Sequence, residues 1–428
     1  MRRFRVVGAG VSGLSAALLL ARRGARVELL SREPEVGGLA GSWRFRGVPC
    51  DLGSHRLHRD ALEVPLLREM TRDVRFIERP RRGALVLQGR WIPYPLGLVG
   101  MLRGLHPRAA LTMGLSLLRG GTLPVGAGDV GFEAALVPVV GREAYEVFYR
   151  PYAEKVFGVD AREVSQTVAR LRVSTSSPWT LLAGAAGREA KVYLYPREGF
   201  GAITRWLEDA CLRAGVALTR GVSWDRTYPG ESVERTLFAG DLRGLVTTTL
   251  AHRGLHLVYL AARGEHLTAV ETLYTPEARY LFGRVGNVGG YAPERAPPGE
   301  TLLCVEVPEG RHGPALDLTA GEGYRALRAQ LDHCGALPAS AEVLALEQRF
   351  IPGVYPLYLR GWRERWRETL ARVPAAVIPF GRQGLFLHCN TDHCVALARE
   401  AVDHAWEHGT PQAWESRAER WLSVRVRD

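Results

Sequence analysis

The chain contains almost no lysine. All of its 56 basic residues except Lys155 and Lys191 are arginine, against 45 acidic residues, and the formal net charge is +11. These charges are scattered and form no runs, so they do not predict nucleic-acid binding. A basic cleft for a nucleotide, a diphosphate or an acidic small molecule remains compatible with this composition.

Cysteine is scarce as well. The six cysteines contain no CxxC pair, and their spacing is typical of neither a zinc site nor a disulfide framework. We therefore predict no bound metal. Because Met1 to Arg3 lead directly into an apolar segment, there is no room for a signal peptide, and the expected location is the cytoplasm.

Long hydrophobic runs are also missing. The most apolar stretch, residues 95–118, is interrupted by Arg103, His106 and Arg108, so it is not a transmembrane span. It predicts two short amphipathic helices that pack in a substrate domain or, alternatively, make peripheral contact with a membrane. The 428 residues, 46% of them hydrophobic, suffice for the cores of two domains or three lobes.

A glycine-spaced turn near the start carries the clearest signal. Gly8, Gly10 and Gly13 form a GxGxxG pattern between an apolar strand and a helix predicted from Val11 to about Arg23, and a second strand follows at residues 26–30. These glycines permit a tight turn, close backbone approach to a pyrophosphate and close helix packing. Val11 and Ser12 would face the phosphates at the helix N-terminus. The unit predicts a dinucleotide site.

The end of the second strand departs from this pattern. An acidic residue normally accepts the ribose hydroxyls there, but Ser31 and Arg32 occupy the position. Serine binds a hydroxyl more weakly than a carboxylate does, and Glu33 is an alternative acceptor. A serine and an arginine would also suit a 2′-phosphate, so NADP stays open on these residues alone.

A second glycine pair follows the βαβ unit. Gly37-Gly38, continued by Leu39 and Ala40, would give a pyrophosphate another close backbone approach. This segment resembles the glycine-pair motif of the FAD-binding superfamily of amine oxidases, protoporphyrinogen oxidases, phytoene desaturases and UDP-galactopyranose mutases. The resemblance implies FAD as cofactor. It also implies an α/β fold, with a Rossmann-like FAD-binding domain (GR2 type) and an inserted α+β substrate domain.

Further segments extend the resemblance on the substrate side. Residues 50–58 are predicted to end a strand at the carboxyl edge of the cofactor sheet, and Gly53, Ser54 and His55 resemble the Gly-x-His segment of the mutases, whose histidine lies near the flavin. Phe157 stands where the mutases have a tryptophan that stacks on uracil, although ordinary core packing is the alternative. The candidate arginines for an anionic substrate group are Arg170, Arg172 and Arg284.

The C-terminal part resembles the segment that returns to the flavin in this superfamily. Arg382, after Gly381, is expected at the pyrophosphate, and Asn390, Thr391 and Asp392 precede a helix predicted from Val395 to about His408, with Asp392 as its cap. His388 falls where a mutase tyrosine contacts the UDP phosphates. Tyr355 belongs to a Tyr-Pro segment that borders the pocket, and Val222 ends a predicted strand of the cofactor sheet.

The order of these segments predicts the domain organisation. The FAD-binding domain comprises residues 1–85, 195–234 and 361–428, with a mostly helical insertion at 86–194 and a β-rich substrate domain at 235–360. Within the latter, strands are expected at residues 255–260, 280–285 and 302–307.

The leading functional hypothesis is an FAD-dependent oxidoreductase that passes a hydride from a small organic substrate to flavin N5, with reoxidation by dioxygen or another acceptor. The first alternative is a non-redox, mutase-like flavoenzyme acting on a nucleotide sugar, and the second is a flavin-binding protein without catalysis. The candidate catalytic residues are His55, Arg172, Arg284, Tyr355 and His388. The oligomeric state stays open.

Overall fold

The computed structural model describes residues 1–94, 107–108, 111–112, 115, 129–172, 192–225, 227–310 and 313–426, with only the backbone described at Arg172. In this part of the chain the strands are β1 (Arg3–Val7), β2 (Arg26–Ser31), β3 (Ser42–Phe45), β4 (Val48–Asp51), β5 (Leu57–His58), β6 (Phe76–Pro80), β7 (Gly83–Leu87), β8 (Arg90–Tyr94), β9 (Val192–Pro196), β10 (Ala217–Arg220), β11 (Arg235–Phe238), β12 (His252–Arg263), β13 (Thr272–Tyr274), β14 (Arg284–Asn287), β15 (Glu300–Pro308), β16 (Val343–Pro356) and β17 (Val377–Pro379).

The helices of the described residues fall between these strands in chain order. They are α1 (Val11–Arg22), α2 (Pro65–Met70), α3 (Phe132–Val140), α4 (Arg142–Ala144), α5 (Arg150–Phe157), α6 (Gln166–Arg172), α7 (Gly201–Arg213), α8 (Val288–Tyr291), α9 (Gly321–His333), α10 (Trp362–Leu370), α11 (Gly381–Gly384), α12 (Thr391–Trp406) and α13 (Pro411–Trp421). A π-helical turn, Tyr145–Tyr149, joins α4 to α5. No helix among the described residues is long and apolar enough to cross a membrane.

The first sheet is the predicted nucleotide-binding sheet. Its strands are all parallel, in the order β10-β2-β1-β11-β17. The apolar runs of β1 and β2 are almost fully buried because helices cover the sheet, and α1 packs against both α7 and α12. The strand order reverses beside β1, so the crevice that open α/β sheets use for ligands opens at the carboxyl ends of β1 and β11.

The second sheet has seven strands in the order β16-β12-β15-β14-β13-β7-β8 and is antiparallel except for the β13–β7 pair. The expected strands at 255–260 and 302–307 are confirmed as parts of β12 and β15. The strand expected at 280–285 is displaced, since β14 begins only at Arg284. The preceding segment is held as a loop because the carbonyl of Phe282 accepts hydrogen bonds from Thr275 Oγ1 and Lys155 Nζ and so has no strand partner.

Two strands lie on the other side of the predicted domain boundaries. β7 begins at Gly83, before residue 86, and pairs with β13 of the second sheet. β11 begins at Arg235 and pairs with β1 in the parallel sheet, whereas the β-rich substrate domain was expected from this residue onward. Leu237 and Phe238 of β11 are buried. A short apolar run in the sequence predicts such a buried strand but does not indicate to which sheet the strand belongs.

The segment around residue 50 also differs from expectation. β4 pairs with β3 in a two-stranded ribbon and does not end at the edge of the parallel sheet. The ribbon lies on β12 because Phe45 and Cys50 pack against Tyr259, whose hydroxyl donates a hydrogen bond to the carbonyl of Asp51 at 2.7 Å.

Candidate cofactor and substrate site

The first glycine turn joins β1 to α1 without room for side chains. Gly8 has a φ of 98°, which favours glycine, and a Cβ on Gly13 would lie only 1.7 Å from the carbonyl oxygen of Gly8. The backbone of α1 therefore passes directly over the end of β1. This contact places Val11 and Ser12 at the start of α1, beside the crevice of the parallel sheet.

The second glycine pair touches this turn. The N–H of Gly37 donates to the carbonyl of Ala9 at 2.8 Å, and a Cβ on Gly38 would lie 3.3 Å from the Cα of Gly10. Gly10 itself has an ordinary extended backbone, and a Cβ there would meet atoms only at 3.8 Å. The fold does not require glycine at position 10, so the small residue leaves space at the N-terminus of α1 for a ligand. Leu39 and Ala40 complete the turn and are half-buried.

The C-terminal segment brings a third turn to the same place. Gly381 has a φ of 76°, and a Cβ there would lie 2.5 Å from Ser12 Oγ. The Ser12 side chain also lowers the pKa of Cys394 in the first part of α12, so these two side chains lie close together. The N-termini of α1 and α12 therefore meet beside Gly381, which agrees geometrically with the expected return of this segment to the first glycine turn.

Arg382 is half-buried beneath this junction. Its Nη1 donates to the carbonyl of Cys389 and its Nη2 to the carbonyl of Val354, both at 3.0 Å. Its Nε is buried and has no hydrogen-bond partner. A buried guanidinium with one unused donor can accept an anionic ligand without first breaking another bond.

The start of α12 corrects the predicted cap. Asn390 is the N-cap, since its side chain accepts from the backbone N–H of His393 and the His393 side chain in turn binds the backbone N–H of Asn390. Thr391 begins the helix, four residues before the expected start. Asp392 lies in the first turn of the helix, with its carboxylate 3.6 Å from His393 Nε2. Its negative charge interacts favourably with the positive end of the helix dipole there.

The expected ribose end lies at the end of β2. Ser31 is buried, its hydroxyl donates to the carbonyl of Glu33 at 2.9 Å, and its own carbonyl accepts from the N–H of Val222. Arg32 is exposed and pairs with the Glu33 carboxylate. The structure thus brings these residues together, and the Ser31 hydroxyl stabilises the turn while it can still accept one hydrogen bond from a ligand.

A second group of candidate residues surrounds a buried glutamate of β15. Glu306 Oε1 accepts from the backbone N–H of Ser54 at 2.9 Å, and its Oε2 accepts from Arg284 Nη2 at 2.5 Å. A Cβ on Gly53 would lie 3.3 Å from Glu306 Oε1. Gly53 and Ser54 therefore meet Arg284, which is far from them in the sequence, at one carboxylate.

His55 borders the same group. Its Nε2 donates to the carbonyl of Leu52 at 3.1 Å, and its ring stacks on Phe200 with 4.9 Å between centroids. Burial lowers the pKa of His55, although Asp51 and Glu306 act in the opposite direction. The imidazole is therefore neutral at pH 7 and has a fixed tautomer, so it can accept a proton at Nδ1.

Two tyrosines lie in the field of Arg284. Burial by itself lowers the pKa of Arg284, but Glu306, Tyr274 and Tyr355 raise it well above its usual value. For Tyr274, burial raises the pKa, but Arg56, Arg284 and Arg81 outweigh this and lower it. The structure thus places the predicted residue Tyr355 near Arg284 and adds Tyr274, which the sequence did not indicate.

Two of the predicted substrate contacts are buried elsewhere. Phe157 is 3% exposed in the main hydrophobic core, so the expected stacking on a ligand is not supported. His388 is also 3% exposed, and its Nε2 donates to the carbonyl of Pro356, so this ring nitrogen supports the backbone. Arg170 is half-buried in α6, and the Arg172 side chain lies outside the described residues, as does nearly all of the segment 95–118.

Sequence reasoning missed a buried aspartate that connects the two groups. Asp51 Oδ1 accepts from Ser42 Oγ at 2.7 Å and from the N–H of Phe200 at 2.8 Å, and its Oδ2 accepts from the Tyr195 hydroxyl. Ser42 lies just after the second glycine turn, and Phe200 carries the ring under His55. Asp51 therefore fixes the distance between the cofactor turns and the substrate side.

A buried ion pair was missed as well. Arg56 Nη2 donates to Glu271 Oε1 and to Thr272 Oγ1, both at 2.9 Å, and the Tyr193 hydroxyl donates to Glu271 Oε2 at 2.6 Å. The side chains of Arg56 and Glu271 are only 9% and 1% exposed. The sequence did offer a signal of this kind at the other buried glutamate, Glu306. A carboxylate within an apolar strand predicts that a positively charged or hydrogen-bonding side chain is buried beside it.

Comparison with known proteins agrees with the first sheet. The family model of an NAD(P)-binding Rossmann-like domain matches residues 6–71. The chain is also similar to the carotenoid phi-ring synthase of Streptomyces griseus, with 55% identity over 38 residues, which make up 9% of this chain and 7% of that protein. The chain thus matches only a small part of the length of this relative.

Solved structures share the fold over the whole chain. Reduced UDP-galactopyranose mutase matches with a TM-score of 0.78 and 19% identity, covering 100% of both chains. A protoporphyrinogen oxidase described as putative, from Exiguobacterium sp. 255-15, matches with a TM-score of 0.70 and 16% identity over 95% of this chain and 99% of that one. Putrescine oxidase bound to putrescine matches with a TM-score of 0.62 and 15% identity over 94% and 98%.

These likenesses confirm the predicted fold class and the structural resemblance to the amine oxidase, protoporphyrinogen oxidase and mutase group. The chain has a Rossmann-like domain that includes the matched residues 6–71, joined to the seven-stranded sheet. The identities are too low to transfer a specific activity.

Proposed function

We propose that this protein is an FAD-dependent oxidoreductase that transfers a hydride from a small organic substrate to the flavin. The observation that carries the proposal is the meeting of three glycine turns, at Gly8–Gly13, Gly37–Gly38 and Gly381, around the N-terminus of α1. One turn would suit any dinucleotide, whereas the second and third correspond to the segments that resemble the FAD-binding superfamily.

The residues present fit the pyrophosphate of FAD. The space left by Gly10 lies where the N–H groups at the start of α1 have no partner in the helix, and the buried Nε of Arg382 supplies an unused donor nearby in the fold. At the other end, Ser31, Arg32 and Val222 would border the adenosine ribose. The weaker acceptor at Ser31 leaves affinity to be supplied mainly by the pyrophosphate contacts.

The flavin, when bound, supplies the capacity to accept a hydride. The chain's own contribution is on the substrate side, where Arg284 and Tyr355 would orient the substrate and Arg284 would attract an acidic group. His55, neutral because burial lowers its pKa, would accept a proton as the substrate is oxidised. Phe200 stacks on the His55 ring, and Asp51 holds Phe200 in place by accepting a hydrogen bond from its backbone N–H.

A mutase-like, non-redox reaction on a nucleotide sugar is the second candidate. It is favoured by the match to UDP-galactopyranose mutase over the full chain and by the arginines Arg56, Arg81 and Arg284 around Tyr274. Burial of Phe157 and His388 counts against the same mode of uridine recognition. The two candidates differ in turnover, since an oxidoreductase consumes dioxygen or another acceptor steadily with substrate, whereas a mutase needs prior reduction and shows no net redox change.

Cofactor binding is tested with Arg382→Ala and a matched control, Arg372→Ala. Arg372 is exposed and also donates to a backbone carbonyl, that of Thr247. We expect Arg382→Ala to weaken FAD binding by about 10- to 100-fold, the loss of one or two charge-assisted hydrogen bonds, and the control to leave it unchanged. Binding is measured by flavin fluorescence titration, with NADP titrated in parallel.

Two results would contradict the proposal. Wild-type protein that takes up no FAD would exclude the flavin, and tight NADP binding in its place would favour the other dinucleotide. If Arg382→Ala folds, as judged by circular dichroism, and retains full FAD affinity, the assigned pyrophosphate contact is wrong. Arg382→Gln, which keeps a neutral donor, covers the case in which alanine disturbs folding.

A further inference from the structure

Cys389 and Cys394 form a close thiol pair at the start of α12. Their Sγ atoms lie 3.4 Å apart, and both residues are buried at 8% exposure. Cys389 precedes the N-cap Asn390, and Cys394 lies in the first part of the helix. The spacing of the cysteines in the sequence indicates no pairing, but the turn at Asn390 brings these two sulfurs together.

The surroundings make the two thiols unequal. The hydrogen bond between Cys389 and Cys394, in which either sulfur can be the donor, lowers the pKa of Cys394 in spite of burial, and Ser12 and Arg382 act in the same direction. The same hydrogen bond, together with burial, raises the pKa of Cys389 well above its usual value. Of the two thiols, Cys394 is therefore the one that loses its proton more readily. By contrast, the thiols of Cys211 and Cys334 donate to the backbone carbonyls of Leu14 and Leu331.

We propose that Cys389 and Cys394 are a redox-active dithiol, which a low-molecular-weight disulfide oxidises to an intramolecular disulfide beside the cofactor turns. The geometry carries the proposal. The two sulfurs need to approach from 3.4 Å to about 2.05 Å, and side-chain rotation of Cys389, which lies before the helix, can supply this movement.

The exchange balances in two steps. The Cys394 thiol loses its proton and attacks one sulfur of the small disulfide, the S–S bond of that molecule breaks, and one small thiolate leaves and takes up a proton. The Cys389 thiol then loses its proton and attacks the Cys394 sulfur of the mixed disulfide, which releases the second small thiolate. The protein loses two hydrogens and the small disulfide becomes two thiols.

Oxidation would also reach the cofactor turns. Cys394 would no longer present a thiol to Ser12, and the Cys389 side chain would move beside the carbonyl that binds Arg382 Nη1. This second part rests on the proposed FAD site. We expect the oxidised protein to bind FAD about two- to tenfold more weakly, which corresponds to one hydrogen bond.

Trypsin makes the test direct, because cleavage after Arg382 and Arg399 releases both cysteines in one peptide, residues 383–399. The purified full-length protein is equilibrated with mixtures of reduced and oxidised glutathione, quenched in acid, alkylated under denaturing conditions and digested. We expect this peptide to appear without alkylation and two hydrogens lighter as the mixture becomes oxidising. The other four of the six cysteines should stay alkylated.

Cysteine variants distinguish a disulfide between Cys389 and Cys394 from unspecific oxidation of the cysteines. Cys389→Ser and Cys394→Ser should each abolish the two-hydrogen loss, while Cys334→Ser, a buried thiol with a single carbonyl partner, should leave it intact. The proposal is overturned if the wild-type peptide stays fully alkylated at the most oxidising ratio, or if the pair forms mixed disulfides with glutathione and no internal bond.

The mass measurement needs no cofactor, so it stands apart from the FAD proposal. If the disulfide forms but no FAD binds in either state, the dithiol stands and the cofactor assignment fails. If the disulfide forms and FAD affinity is the same in both states, the link through Ser12 and Arg382 is wrong.

Discussion

The cofactor side and the substrate side of this site are built by opposite means. The cofactor side consists of backbone turns from which side chains are missing, at Gly8, Gly13, Gly38 and Gly381, and each turn contacts the next directly. The substrate side consists of side chains that fill the interior with paired charges, Arg284 with Glu306 and Arg56 with Glu271. Replacing a glycine by a larger residue should therefore destabilise the cofactor side, and removing one charge of a buried pair should destabilise the substrate side.

The largest loss of stability is expected from adding a methyl group to the first glycine turn. In Gly13→Ala the new Cβ would lie 1.7 Å from the Gly8 carbonyl oxygen, so β1 and α1 must separate. We expect a loss of about 3 kcal/mol or more in the free energy of unfolding and a loss of dinucleotide binding. Urea unfolding followed by circular dichroism measures the first effect.

Gly244→Ala is the matched control, since a Cβ at this exposed position meets no atom within 4 Å. Equal unfolding midpoints for the two variants would show that the close contact at Gly13 does not constrain the fold.

The next largest effect is expected from removing a charge on the substrate side. Glu271→Gln keeps the shape of the side chain but leaves Arg56 buried without its counter-ion, and we expect a loss of about 3 kcal/mol in stability. The exposed pair Arg263–Glu342 provides the control, because solvent screens it, and Glu342→Gln should cause no resolvable change.

Chemical denaturation of both variants at neutral pH makes this measurement. A stability for Glu271→Gln within error of that for Glu342→Gln would mean that the buried pair is dispensable.

The smallest effect concerns the seam where β12 meets the C-terminal segment. The His252 ring lies edge-on to Phe386, both of its nitrogens are buried without partners, and burial lowers its pKa from 6.5 to about 4. Between pH 6.5 and about 4, His252 is therefore protonated in the unfolded chain but not in the folded chain. This contribution to stability is fully present above pH 6.5 and is lost as the pH falls towards 4.

His252→Phe should make stability less dependent on pH within that window, whereas His333→Phe, at an exposed position of α9, should not. Thermal unfolding at several pH values between 4 and 7 compares the slopes with that of the wild type. Parallel profiles for His252→Phe and the wild type would show that this ring titrates normally in the folded protein.

Prediction from sequence succeeded where the determinants are local. The turn from β1 to α1 and the strand β2 that follows were predicted from glycine spacing and apolar runs within short stretches. It failed where the partner is distant in the chain. Ser54 and Glu306 are separated by 252 residues, so no local pattern indicated that their contact would organise the substrate side.

The same reason explains the individual corrections. Phe157 and His388 match motif positions in the sequence, but only packing decides whether an aromatic ring faces a ligand or the core, and here both are buried. Asp392 is a good capping residue by type, yet Asn390 occupies the cap because the reciprocal bond with His393 is available to it.

By itself, the sequence determined the nucleotide-binding half of this protein, because backbone turns depend on glycine at fixed spacing and on little else. Only the tertiary structure decided which buried charges are paired, which candidate side chains face the site, and that Cys389 and Cys394 meet beside Ser12. Those outcomes depend on how the folded chain places segments that are distant in sequence or joined by a turn. Burial makes the resulting distances important, because an unpaired charge costs more free energy and a pKa shifts further away from water.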